Sequence, residues 1–236
     1  MTSTLIGQPV AQSTGSDSAG ADERLLLRGG LIAAVPYLAG IAFAIWFLNT
    51  THPAFDATPV EAAVGFRDNA SKIALGTVLF LLPMPLVLMF LGGLSATLRR
   101  FGAALAGTAL AAGLVDVALF TSATMVSSIT STVGALDASA ATGAVIKALD
   151  GVLPVTIAAA GLARAVLLGA SAVLLRRSGL AGRALRGFSW VIAALGVIGL
   201  GTVFTAALFP LTELAMILTW VWMAILGARL PRRINR

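Results

Sequence analysis

Asp116 and Arg164 are the residues best placed to do chemistry, because each stands alone in the middle of a long apolar run. The run from Val152 to Leu175 holds eleven large aliphatic residues and no charge other than Arg164. Its 24 residues exceed the roughly 20 that a helix needs to cross a bilayer. An arginine at a helix centre costs about 2.5–3.5 kcal/mol on insertion scales, against about 0.3–0.6 kcal/mol gained for each Leu, Ile or Val. Eleven aliphatics match or exceed that penalty, so the segment inserts, but the charge needs a partner. Asp116 sits at the centre of the preceding run, 103–126. Consecutive spans run in opposite directions, so the two charges are expected at matching depth. Ala109, Ala112 and Gly113 lie on the Asp116 side, and Gly161, Ala165 and Gly169 form a small-xxx-small row beside Arg164. Such rows let helix backbones approach closely.

Two readings of this pair remain open. One is an ion or proton path, or a counter-ion for a charged substrate. The other is a buried ion pair that fixes helix register, and it is favoured because no further ionisable groups line up across the apolar spans. Glu213, near the outer end of the last span, is a third candidate for an intramembrane polar site. It either reaches interfacial water or complements the dipole of its helix. Pro83 and Pro85 stand mid-span, and each removes a backbone donor and crowds the carbonyl four residues back. A helix kink is expected there, serving packing or facing a cavity at the level of Asp116 and Arg164.

Other chemistry is thinly supplied. The absence of cysteine excludes disulfides, thiolate metal sites and cysteine nucleophiles, and the single histidine is His52. His52 shares one loop with Asp56, Glu61 and Asp68, a weak metal pattern better read as a solvated loop. No Walker A, H-E-x-x-H or G-x-S-x-G motif occurs. No catalytic, cofactor or metal site is therefore expected, and no enzyme.

The elements that must hold the candidate residues are apolar throughout. Of the 236 residues 58% are hydrophobic and 11% charged, with a mean hydropathy of +0.96. A soluble domain carries about 25% charged residues. The expectation is an all-α, polytopic membrane helical bundle with six transmembrane helices. Spans are expected at about 31–48, 73–94, 103–126, 152–175, 188–209 and 211–228. Residues 1–22 read as a disordered tail rather than a signal peptide, because no Lys or Arg precedes Arg24. Residues 23–236 then form one transmembrane domain. In the polar segment after the first span, Thr58-Pro59-Val60-Glu61 reads as a helix start with a capping box. The segment up to Gly151 is expected to include a short separate helix around Ala138–Leu149. The Ser/Thr-rich exit of the third span, Thr121 to Thr132, is expected to bond back to helix carbonyls or to meet water.

Charge sets the orientation. Twelve basic residues fall in the N-terminal tail, second loop, fourth loop and C-terminal tail, and three (Arg67, Lys72 and Lys147) fall on the other side. The positive-inside rule then places both termini in the cytoplasm. The net charge of +6 is accounted for by this topology, so nucleic acid is not expected as a partner. The bilayer is, and a membrane protein partner is possible on composition. Fourteen of the sixteen basic residues are arginine, a weak compositional hint of a bacterial source and hence of the bacterial cytoplasmic membrane.

Several short motifs share a rhythm: Leu174-Leu175-Arg176-Arg177-Ser178-Gly179, Leu185-Arg186-Gly187-Phe188, Trp220 and Trp222 before Arg229, and Val35-Pro36-Tyr37-Leu38-Ala39-Gly40 in the first span. In these the chain resembles the bacterial six-span membrane proteins grouped as domain of unknown function 4386. The resemblance implies a fold and a location, and brings no activity and no catalytic residues. The function expected is that of a non-enzymatic accessory or interaction protein. The alternative is a small transporter or channel with its polar centre at Asp116 and Arg164. Transport calls for a wet cavity reaching Asp116, and an interaction protein for a dry bundle.

Overall fold

The structure is a computed structural model that describes residues 14–50, 57–137 and 139–233. Its elements are α1 (Thr14–Thr50), α2 (Pro59–Asp68), α3 (Ala70–Leu81), α4 (Met84–Arg99), α5 (Ala103–Leu136), α6 (Ala140–Ser178), α7 (Arg183–Gly199) and α8 (Phe209–Arg233). Two 3₁₀ turns, Leu200–Val203 and Ala206–Leu208, join the last two helices. Among the described residues every regular element is helical, and six helical stretches are long and apolar enough to cross a membrane. Large apolar side chains such as Val35, Val78, Leu82, Val115, Val191 and Ile198 are exposed around the bundle. Water penalises an apolar surface of that extent, and hydrocarbon does not.

Neighbouring helices are antiparallel, as glycine contacts show. A Cβ on Gly93 of α4 would lie 2.8 Å from the Leu26 side chain of α1, whereas Gly40 further along α1 faces Phe80 of α3. Gly227 of α8 lies so close to α1 that a Cβ there would be 2.8 Å from the Leu27 carbonyl. Helices α6 and α7 cross at Gly161 and Gly196, where a Cβ on Gly196 would sit 2.6 Å from the Gly161 oxygen. These registers gather the arginine-bearing helix ends at one end of the bundle. Gly102 abuts Leu174 and Arg177, and Arg233 donates to the Leu180 carbonyl at 3.0 Å.

Several boundaries differ from the sequence reading. Helix α1 starts at Thr14, so it reaches back into the segment read as a tail; residues 1–13 lie outside the described residues. The separate helix expected around Ala138–Leu149 is instead the start of α6, which begins at Ala140 behind a Ser139 cap and continues through the span. Helix α5 likewise continues to Leu136. Its hydroxyls find their partners one turn back: Thr124 donates to the Phe120 carbonyl at 2.9 Å and Thr130 to the Val126 carbonyl at 2.6 Å. The polar composition therefore does not stop the helix. The fifth span, read as 188–209, starts earlier at Arg183, and its α-helix ends at Gly199. There the Thr212 hydroxyl donates to the Gly199 carbonyl at 3.1 Å and relieves one of the orphan acceptors of the helix end.

At 34 and 39 residues, α5 and α6 are about 51 and 58 Å long at 1.5 Å per residue. Both exceed a hydrocarbon core of about 30 Å. The excess at the arginine-poor end packs on α2 through Ala62, Ala63, Phe66 and Ile146. Helix α2 begins as its sequence requires. Thr58 is the N-cap, Pro59 holds the first turn, the Glu61 amide donates to the Thr58 hydroxyl at 3.3 Å, and the Thr58 amide donates to the Glu61 carboxylate at 2.7 Å.

Candidate functional site: a buried ion pair beside a small cavity

Antiparallel packing of α5 on α6 brings Asp116 and Arg164 into direct contact. Arg164 Nη2 donates to Asp116 Oδ1 at 2.7 Å, and Nε donates to Oδ2 at 3.2 Å. This two-pronged geometry is the strong form of an arginine–carboxylate interaction, because both parallel bonds are charge-assisted. The Arg164 side chain is 3% exposed and that of Asp116 13%. Arg164 precedes Arg176 by twelve residues of one helix, about 18 Å of rise. In a core about 30 Å thick that depth is close to the middle.

The small residues beside each charge face other helices. Gly161 meets Gly196 and Gly169 meets the Trp190 ring, both on α7, while Gly113 meets Leu91 of α4. These three glycines therefore seat the flanking helices, while α5 packs along α6 through apolar contacts on either side of the ion pair, such as Gly134 on Ile146.

The pair opens on a cavity of about 30 Å³ whose wall includes Met84, Gly113, Phe120, Thr219 and Trp220. About 10–15 Å³ suffices for one water, given polar partners. A polar group is present, because Arg164 Nη1 is buried with no hydrogen-bond partner among the described residues. Met84 lies where α3 and α4 are interrupted. Pro83 and Pro85 stand at this break, and the carbonyl of Pro83 accepts the Val87 amide at 3.0 Å as the new helix begins. The missing proline donors thus end one helix beside the cavity and begin another.

Tyr37, the chain's one tyrosine, stacks on Trp220 with ring centroids 3.7 Å apart and planes within 12°. Phe80 and Phe120 close around it at 5.6 and 6.1 Å. The Tyr37 hydroxyl is also buried without a hydrogen-bond partner among the described residues. Sequence reasoning passed over Tyr37 and Trp220 as parts of the polar centre. A lone tyrosine inside an apolar span was the available signal, since a buried phenol ordinarily needs a partner.

Glu213 is not drawn into the pair. It is half-buried near the start of α8 and makes no hydrogen bond or ion pair among the described residues. It does share a helical stripe with Met216, Trp220 and Met223, all of which line the cavity. In the loop read as a weak metal pattern, Glu61 serves the α2 cap and Asp68 pairs with Arg67 at 3.1 Å. His52 and Asp56 lie outside the described residues.

The fold and the site together define a helical bundle with six membrane-competent stretches and a buried ion pair at its centre. No family model, no curated protein and no solved structure matches this chain.

Proposed function

We propose that the chain is a multi-pass integral membrane protein of a bacterial cytoplasmic membrane, with both termini cytoplasmic. In this reading it has no enzymatic activity and acts as an accessory or interaction partner of another membrane component. One observation carries it: the central charges are spent on each other, bidentately, beside a cavity of only about 30 Å³. That volume takes one or two waters, whereas small-molecule sites run from about 300 Å³ upward. A transporter or catalyst needs room for its substrate, and a structural clamp does not. The fold that the family resemblance implies agrees with this reading and adds no activity to it.

A second reading is supported by a specific feature. Arg164 Nη1 and the Tyr37 hydroxyl lack hydrogen-bond partners among the described residues, and Glu213 lies on the cavity-lining stripe of α8. Water entering at Glu213 and reaching the pair would make an ion or proton path. Proteoliposomes separate the two readings. With the protein reconstituted and a pH gradient imposed, proton leak is expected to equal that of protein-free vesicles, and Asp116→Asn is expected to leave it unchanged. A leak that requires Asp116 would establish the path and reject the clamp.

A further inference from the structure

A second concentration of charge lies far from the central pair, in a cleft of about 700 Å³ between the end of α6 and the start of α7. Its walls are Ala172, Val173, Arg176, Arg183, Arg186 and Trp190. The three guanidinium groups come from two helices and make no hydrogen bond or ion pair among the described residues. Residues 176–186 contain no acid that could neutralise them.

Positive-inside topology accounts for arginines at this end, but it does not account for three of them facing one cleft. The neighbouring arginines show the difference. Arg177 turns toward Gly102 at the start of α5, Arg100 lies over the Phe101 ring at 5.3 Å, and Arg233 bonds the Leu180 carbonyl. Those cations have protein surroundings of their own, and Arg176, Arg183 and Arg186 have only the cleft. Arg183 and Arg186 also sit in the first turn of α7, whose N-cap Gly182 provides no side-chain hydrogen bond. The positive end of the helix dipole disfavours two cations there unless an anion joins them.

We infer that this cleft binds the phosphate headgroup of an anionic lipid. Arginine forks match phosphate oxygens two at a time. The cleft also has an apolar continuation. Trp190, one turn beyond Arg186, is exposed with its ring packed over Gly169, and Ala172 and Val173 lie on the facing helix. A free phosphate needs only the guanidinium groups, whereas a lipid also uses this ledge for the start of its acyl chains. Basic pockets between transmembrane helices are known to hold anionic headgroups.

The test uses the full chain, purified and delipidated in neutral detergent, with thermal unfolding and native mass spectrometry as readouts. Phosphatidylglycerol is expected to raise Tm and to remain bound, with phosphatidylcholine and millimolar inorganic phosphate doing neither. The triple variant R176Q/R183Q/R186Q is expected to bind phosphatidylglycerol on the order of a hundredfold more weakly, from the usual contribution of each basic residue near an anionic surface. Arg183→Gln alone is expected to weaken binding about fivefold, and it keeps the test decisive if the triple variant is poorly folded. The control R99Q/R100Q removes two charges from the same end outside the cleft and is expected to bind as the parent does. Unchanged binding by the cleft variants, or an equal loss in the control, would overturn the site. Displacement of phosphatidylglycerol by inorganic phosphate at matched concentration would overturn the lipid and leave a phosphate site.

Discussion

At the scale of single residues, Asp116 and Arg164 show how a costly side chain becomes tolerable through one contact. Arg164 enters an apolar helix at a penalty, and Asp116 returns two charge-assisted bonds at 2.7 and 3.2 Å. Removing either partner strands the other where nothing solvates it. Breaking such a pair costs about 3–5 kcal/mol in soluble proteins, while hydrogen bonds measured within membranes average about 0.6 kcal/mol. We expect Asp116→Ala and Arg164→Ala each to cost stability in detergent by an amount between these bounds, seen as a lowered Tm. Asp116→Asn combined with Arg164→Gln keeps polar partners without charge, and should recover part of the loss. Thermal unfolding of the parent, Asp116→Asn, Arg164→Gln and their double variant closes a cycle that gives the coupling directly, and a value near zero would show that the contact contributes nothing to stability.

At the scale of the element, α2 depends on its cap more than on its length. Ten residues form a helix that is marginal in isolation, so the capping box and the seat on Ile146 must hold it. The Thr58 backbone amide, and then its hydroxyl, bond the Glu61 carboxylate and hold its pKa below the usual carboxylate value of 4.5. A group whose folded pKa is lowered stabilises above its unfolded pKa and loses that contribution as the pH falls through the folded value. Hydrogen-exchange protection of amides 60–64 should therefore be level near neutrality and decline on acidification below about pH 4.5. Glu61→Gln should remove the pH dependence. Protection that is insensitive to both changes would mean that packing alone holds α2.

At the scale of the whole molecule, antiparallel registers place the ends carrying Arg28, Arg99, Arg177, Arg186 and Arg233 together, and leave α2 with Arg67, Lys72 and Lys147 at the other end. The charge asymmetry read along the chain thus becomes an asymmetry between two ends of one bundle, which is the form on which the positive-inside rule acts. Fusions of a compartment-sensitive reporter at Arg236 and at Ala140 are expected to report opposite sides, with Arg236 cytoplasmic. The same side for both would break the six-span arrangement.

Much of this was legible in the sequence, for identifiable reasons. Length and apolarity alone make a helix able to cross hydrocarbon, because every backbone group must be satisfied within the segment. The six spans, the Thr58 cap and the break at Pro83 and Pro85 are local consequences of side-chain type, and they needed no tertiary information. Matching depth likewise followed from alternating span direction, and it brought Asp116 opposite Arg164. Helix ends were less legible. The hydroxyl-rich stretch of α5 and the polar start of α6 look like loops by composition, yet both remain helical where they pack on α2. Tertiary contact alone decided what surrounds the charges: which helix each glycine faces, that Tyr37 stacks on Trp220, and that the cavity beside the pair is only about 30 Å³. It also turned three arginines, evenly treated by any count of charge, into one cleft. Spacing along a helix assigns a residue its depth and face, but the neighbour on that face is set by how whole helices pack.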